Sequence, residues 1–215
     1  MACAAPTVSS TKETTNYARL CRLLIDVGTQ ALRDTFDAIY SPANLHTVLA
    51  ANKTKLQLLK TKNIINATQW RKLFPPTPSL VSPAHFDITL LMVLLRNICR
   101  LHPLATSWDK PPAVKDVTRE ADIARVKYYR NTVYSHAECA SVDDTQFKLY
   151  WGDIRDTLVR LGGAQYEAAI DNLESECMDP KVEDFYKELL SQEKKDEDSV
   201  KDKLDEVNKK LDYLM

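Results

Sequence analysis

Ala124-Arg125-Val126-Lys127-Tyr128-Tyr129-Arg130-Asn131-Thr132-Val133-Tyr134-Ser135-His136 reads as the end of an amphipathic helix carrying one arginine and one histidine in an otherwise ordinary pattern. At about 100° and 1.5 Å per residue, His136 stands about 120° around the helix from Arg130 and about 9 Å along it. A single straight helix therefore grips one phosphate poorly with this pair. Two arrangements serve it better: His136 placed where the helix frays, or two copies of the helix meeting across a two-fold axis and pooling two arginines with two histidines. Dimerisation is thus part of any catalytic reading of the stretch.

Working outward, helix signals dominate. Upstream, the motif helix is expected from about Val117, its first turns favoured by Thr118, Glu120 and Asp122. Downstream, a turn around Ser141 leads into a helix from Asp143 to Leu161 with Phe147, Trp151, Ile154, Leu158 and Leu161 on one stripe; Gly162-Gly163 ends it. The acidic pair Asp143-Asp144 suits the positive end of that helix better than a metal. Tyr166, Ala169, Ile170 and Leu173 form a further helix ending near Asp179-Pro180.

Earlier in the chain, Leu20 to Ile39 follows helical spacing, Ser41-Pro42 caps a short helix with Leu45, Val48 and Leu49, and an apolar group from Leu56 to Ile65 leads to a capped helix from Asn66 to Phe74. Pro75-Pro-Thr-Pro78 reads as a rigid connector, since no basic anchor flanks it as proline-recognition ligands need. Ser82-Pro83 is expected to open the most apolar helix, through Leu101, at the centre of the core. His102-Pro103 to Pro111-Pro112 is a polar surface crossing.

The chain of 215 residues, 44% apolar, supports one substantial core with an appendage. Residues 1–15 read as a flexible lead, 16–179 as the helical domain and 180–215 as a charged C-terminal segment. That segment holds 8 Lys and 11 Asp or Glu, and Val200, Leu204, Val207, Leu211 and Leu214 repeat at coiled-coil spacing. It is expected to pack on a partner copy or to lead into downstream domains of a longer protein. The fold class is all-α, a compact bundle with a C-terminal helix of coiled-coil character.

A net charge of −1 gives no bulk signal of nucleic-acid binding. The apolar run Ile88 to Leu95, interrupted by Thr89, is too short to span a bilayer, and the N-terminus lacks the form of a secretion signal, so no membrane partner is expected. Cys3, Cys21, Cys99, Cys139 and Cys177 are scattered, as befits reduced thiols, and the expected location is cytoplasmic. With four glycines there is no phosphate-cradling loop. A His136–Cys139 pair lacks two ligands for zinc, so no metal and no cofactor is expected.

The chemistry open to Arg130 and His136 is metal-free RNA cleavage. A histidine exchanges the 2′-hydroxyl proton and the guanidinium neutralises the phosphate, while Asn131 can orient but cannot act as acid or base. Arg125 and Lys127 would add RNA contacts. The plain structural alternative is an Arg130 paired to a neighbouring helix and a His136 at a helix C-terminus, where it is favoured.

The string RNTVYSHAECASVDDTQFKLYWGDIRDTLVRLGG resembles the HEPN superfamily, and Arg130-Asn131 followed by His136 resembles its arginine-polar-histidine signature. More specifically, it is similar to the HEPN-like domain found near the N-terminus of many animal multidomain proteins, among them a RING ubiquitin ligase and proteins with immune-type NTPase or death-fold modules. The resemblance runs from about Tyr17 to Leu173. It implies a helical bundle, a two-fold homodimer formed by the motif helices, and a composite cleft in which Arg130, Asn131 and His136 inherit the signature. In active relatives that cleft cuts single-stranded RNA without metal, leaving a cyclic phosphate. Other members are binding or assembly modules, so the resemblance equally implies a non-catalytic homodimerisation and scaffold unit, including one of an immune signalling protein.

Overall fold

The computed structural model describes residues 11–104, 108, 110–137, 139–192 and 195. Among them all regular structure is helical, and no helix is long and apolar enough to cross a membrane. The heptad seam from Val200 to Leu214 lies outside the described residues.

The first helical stretch runs from residue 12 to 39. Helix α1 (Lys12–Arg22) starts inside the segment read as a flexible lead, because Thr11 caps it: the Thr11 hydroxyl accepts from the Thr14 amide and the Thr14 hydroxyl faces back to the Thr11 amide. A π turn (Leu23–Gly28) follows, in which the Thr29 amide reaches the Leu24 carbonyl five residues back, and α2 (Thr29–Ile39) continues without a break. Leu20, Leu23, Leu24, Leu32 and Phe36 are fully buried along this stretch.

Helices α3 (Leu45–Ala51), α4 (Lys53–Thr61) and α5 (Ala67–Leu73) are short. Asn66 and Gln69 form the capping box that starts α5. The central helix α6 (Ile88–Ile98) starts later than Ser82-Pro83 suggested. Pro83–His85 is only a 3₁₀ turn and Phe86 is extended, whereas the Asp87 carboxylate accepts from the Leu90 amide at 2.8 Å and sets the true N-terminus. Ile88, Leu90, Leu91, Leu94 and Leu95 have no exposed surface, so α6 is the core helix that its composition indicates.

The motif helix α7 (Arg119–Ser135) is capped by Thr118, and α8 (Asp144–Gly162) by Asp143, whose carboxylate accepts from the Thr145 and Gln146 amides. The stripe Phe147, Trp151, Ile154 and Leu158 is buried. Gly163 ends α8 at φ 91°, and a Cβ on Gly162 would come within 2.2 Å of the Tyr166 ring, so both glycines of the terminator are required. Helix α9 (Gln165–Ser175) is shorter than expected, stopping before a non-helical Cys177–Asp179.

Helix resumes over residues 180–192, here called α10. Its first turns pack on α1 and the π turn. Glu183, 2% exposed, accepts from the Thr15 hydroxyl at 2.8 Å, Tyr186 donates to Asp26 at 2.6 Å beneath the Arg22 guanidinium, and Leu190 is fully buried. In the bundle α7 packs along α8, α1 touches both, and α2 packs on α6 and α8.

Candidate functional site

Helix α7 sends its motif residues to different neighbours. Arg130 is 1% exposed. Its Nη1 donates to Thr89 Oγ1 at 2.8 Å, and its Nη2 and Nε donate to Asn131 Oδ1 at 3.0 and 3.3 Å. Thr89 is the second residue of α6, so Arg130 ties the motif helix to the first turn of the central helix while Asn131 orients the guanidinium. Hydrogen bonds to a charged group contribute about 1.5–3 kcal/mol each. A phosphate outside the bundle would reach this guanidinium only after those bonds were given up.

His136 lies one residue beyond α7, at its C-cap. The imidazole is partly buried and sits beside the Tyr150 ring of α8, centroids 6.2 Å apart. Its carbonyl accepts from the Ala140 amide at 2.8 Å, closing a turn with Ala140 at φ 46°. The loop beyond is held to α1: the Val142 amide donates to the Glu13 carbonyl at 3.1 Å, and Asn16 donates to the Val142 carbonyl and to Asp144. Arg130 and Asn131 are thus brought together, whereas His136 has Tyr150 as its neighbour.

Arg125, 8% exposed, donates to Asp122 Oδ1 at 2.6 Å and to the Ala113 carbonyl at 2.6 Å. Asp122, 1% exposed, also receives Arg160 of α8 through bonds of 2.7 and 2.9 Å. Two guanidiniums therefore share one buried carboxylate, and the hydrogen bond to Asp122 holds the Arg160 group above its ordinary range. Lys127 is half-buried.

A run of rings follows α7 and α8: Tyr128 and Tyr129 at 5.2 Å, Tyr129 and Tyr150 at 6.0 Å, then His136. The Tyr129 hydroxyl donates to Asp153, and burial followed by that bond pushes its phenol upward; burial also raises Tyr150. Both phenols therefore stay protonated near neutrality and offer no general base. Among the described residues no group of three or more His, Cys, Asp or Glu is placed to hold a metal ion.

Thr89, Asp153 and the Asp122–Arg160 pair escape a reading by motif. Thr89 had a signal, as the one hydroxyl interrupting an apolar run. The others had none, because their partners lie on different helices.

An all-helical bundle whose motif helix carries an arginine-asparagine pair and is capped at its C-terminus by a histidine is a domain of the HEPN class. The DZIP3/hRUL138-like HEPN family matches residues 42–186. The chain belongs to that family, as the resemblance in its sequence implied. It is 29% identical over 153 residues to the E3 ubiquitin-protein ligase DZIP3 of Mus musculus and 28% identical to that of Homo sapiens. The match covers 69% of this chain but 13% of each relative. No solved structure matches the chain.

Proposed function

We propose that this domain is a non-catalytic homodimerisation and scaffold module of a larger, ubiquitin-ligase-type regulatory protein, with the HEPN signature retained as framework. The observation that carries this reading is the burial of Arg130 on Thr89 and Asn131. A residue that must meet the transition-state phosphate needs an open approach, and Arg130 is committed to the bundle. Arg125 is likewise engaged with Asp122. Salt bridges and framework bonds that consume these cations favour assembly over RNA cleavage. The short match to relatives named as ubiquitin ligases supports a role as one part of a longer chain, and the scattered thiols support a cytoplasmic setting.

The deciding experiment mixes the protein with single-stranded RNA in EDTA, beside Arg130→Ala and His136→Ala. The expected result is no cleavage by wild type above either variant. Metal-independent cleavage that yields cyclic-phosphate ends and disappears in a folded His136→Ala protein would overturn the scaffold reading and establish the composite nuclease site, since loss of the proton-transfer group costs about 10²-fold or more.

A further inference from the structure

The connector from α5 to α6 holds a threonine between prolines, Pro75-Pro76-Thr77-Pro78, and leads to a further hydroxyl before proline at Ser82-Pro83. Its two ends are fixed. Phe74 is half-buried with its ring centroid 4.4 Å from that of Trp70, and at the far end Pro83 is buried, its carbonyl accepting from Arg33 Nε at 2.9 Å. Between these anchors residues 76–80 are all exposed, and Leu80, the large apolar side chain of the stretch, is 66% exposed rather than packed on the bundle.

Thr77 is extended, at φ −104° and ψ 106°, because the ring of a following proline clashes with a helical residue before it. Its hydroxyl caps no amide of the 3₁₀ turn (Pro78–Leu80) beyond it, and among the described residues it has no hydrogen-bond partner. The turn is held by the Leu80 amide on the Thr77 carbonyl at 3.0 Å and the Val81 amide on the Pro78 carbonyl at 3.3 Å. Thr77, Pro78 and Leu80 are exposed, so water replaces these bonds at little cost when the segment straightens.

Two other hydroxyls precede proline and are worse placed. Ser82 is partly buried, its Oγ accepts from the Ala84 amide at 3.3 Å, and Pro83 beside it is buried. Ser41 is exposed, but Ile39 before it packs on the core and the Tyr40 hydroxyl donates to the Ile98 carbonyl at 2.6 Å. Laying either site across an enzyme cleft pulls anchored residues off the bundle. At Thr77 both flanking residues, Pro76 and Pro78, are exposed.

We propose that Thr77 is a phosphorylation site for a proline-directed protein kinase. The class follows from the neighbours: Phe74 and Pro75 before Thr77 are not basic, and Ser79, Leu80 and Val81 after it are not acidic, so the proline itself is the handle. Proline there leaves no N–H unsatisfied in an apolar slot, and it holds Thr77 extended before the enzyme arrives. In the transfer, Thr77 Oγ1 bonds to the γ-phosphorus of ATP while the bond from that phosphorus to the β–γ bridging oxygen breaks; ADP leaves, and the hydroxyl proton passes to a carboxylate of the kinase. The product puts a charge of about −1.5 to −2 on a stretch that has no acidic residue between Asp37 and Asp87. The helices keep their packing, since the hydroxyl holds none of it. This site lies away from the motif helix and stands independently of the scaffold reading.

The test incubates the folded full chain with Mg-ATP and a mitogen-activated protein kinase, a proline-directed enzyme, and locates the phosphate by fragment mass spectrometry. The expected result is one phosphate per chain, on Thr77, with the circular dichroism spectrum unchanged. Thr77→Val should abolish incorporation and Ser82→Ala should leave it intact. Pro78→Ala keeps the hydroxyl but should slow transfer about tenfold or more, the cost of methylenes missing from an apolar slot. A synthetic peptide of residues 71–83 supplies the rate for the same segment outside the fold, and the folded chain should match it closely. Phosphorylation of the peptide but not of the folded chain would show the connector closed to the enzyme and overturn the proposal. So would phosphate on Ser41 or Ser82 in place of Thr77, equal rates for Pro78→Ala and wild type, or no incorporation into chain or peptide by a kinase active on a standard substrate.

Discussion

At the scale of the residue, Arg130 reports a general difficulty in reading motifs. Its position and its neighbour Asn131 stand out in the sequence, but the direction of the side chain depends on which helix lies beside α7, and no helical wheel supplies that. The lone hydroxyl of Thr89 in an apolar run was the only clue that α6 would meet a polar group there. Because Arg130 is 1% exposed and bridges Thr89 to Asn131, Arg130→Ala should lower the unfolding free energy by about 3 kcal/mol. Thr89→Val, nearly isosteric, should cost about 1–2 kcal/mol, and Arg130→Lys should recover less than half of the alanine loss, since an ammonium cannot span both acceptors. Urea denaturation measures all three; a change below about 0.5 kcal/mol for Arg130→Ala, the size of an ordinary surface substitution, would remove the framework role assigned to it.

At the scale of the element, the helices were legible wherever apolar period and cap agreed. Thr118 before α7 and Asp143 before α8 are such places. Where two start signals compete, as at Ser82-Pro83 and Asp87, sequence alone cannot say which one the chain uses, and the carboxylate with the better-placed amides wins. Helix α10 was harder still, since its charge and the heptads beyond it pointed to a partner copy or to further domains, while Glu183 and Leu190 are buried against the bundle. Tyr186 gives this docking a pH signature. Burial, then its bond to Asp26, pushes the phenol from 10.0 up to about 12. The neutral form is therefore favoured by folding, and its contribution is full below pH 10 and lost as pH rises through about 12. Tyr186→Phe should be less stable than wild type by about 1 kcal/mol at pH 9, and the gap in urea midpoint should close as pH climbs through that window. A gap that stays constant would mean the hydroxyl is not bonded to Asp26 in solution.

At the scale of the whole molecule, the sequence revealed the class of the fold but concealed the distribution of charge, because a total of −1 averages the acid-free α4 and α5 with acid-rich helices. The outer faces of α7 and α8 leave Tyr128 36% and Leu149 61% exposed beside the aromatic run, and the scaffold reading assigns these faces to a second copy. Sedimentation at micromolar concentration should then give about twice the 24.4 kDa chain mass, and Tyr128→Lys/Leu149→Lys should give the monomer without loss of helicity. A wild-type monomer throughout the range would remove the dimer from the proposal.

The π turn between α1 and α2 gives the molecule a parity. Its five-back hydrogen bond accommodates one residue more than an unbroken α-helix would need over the same rise. Removing one residue between Leu23 and Gly28 lets the helix close regularly while Ala31, Leu32 and Phe36 keep the face they share with the core, whereas removing one from the regular turns on either side turns everything beyond it by about 100°. The turn is thus the one place in this first helix where a residue is spared by the packing on both sides, and a homologous chain one residue shorter at that point buries the same face of α2.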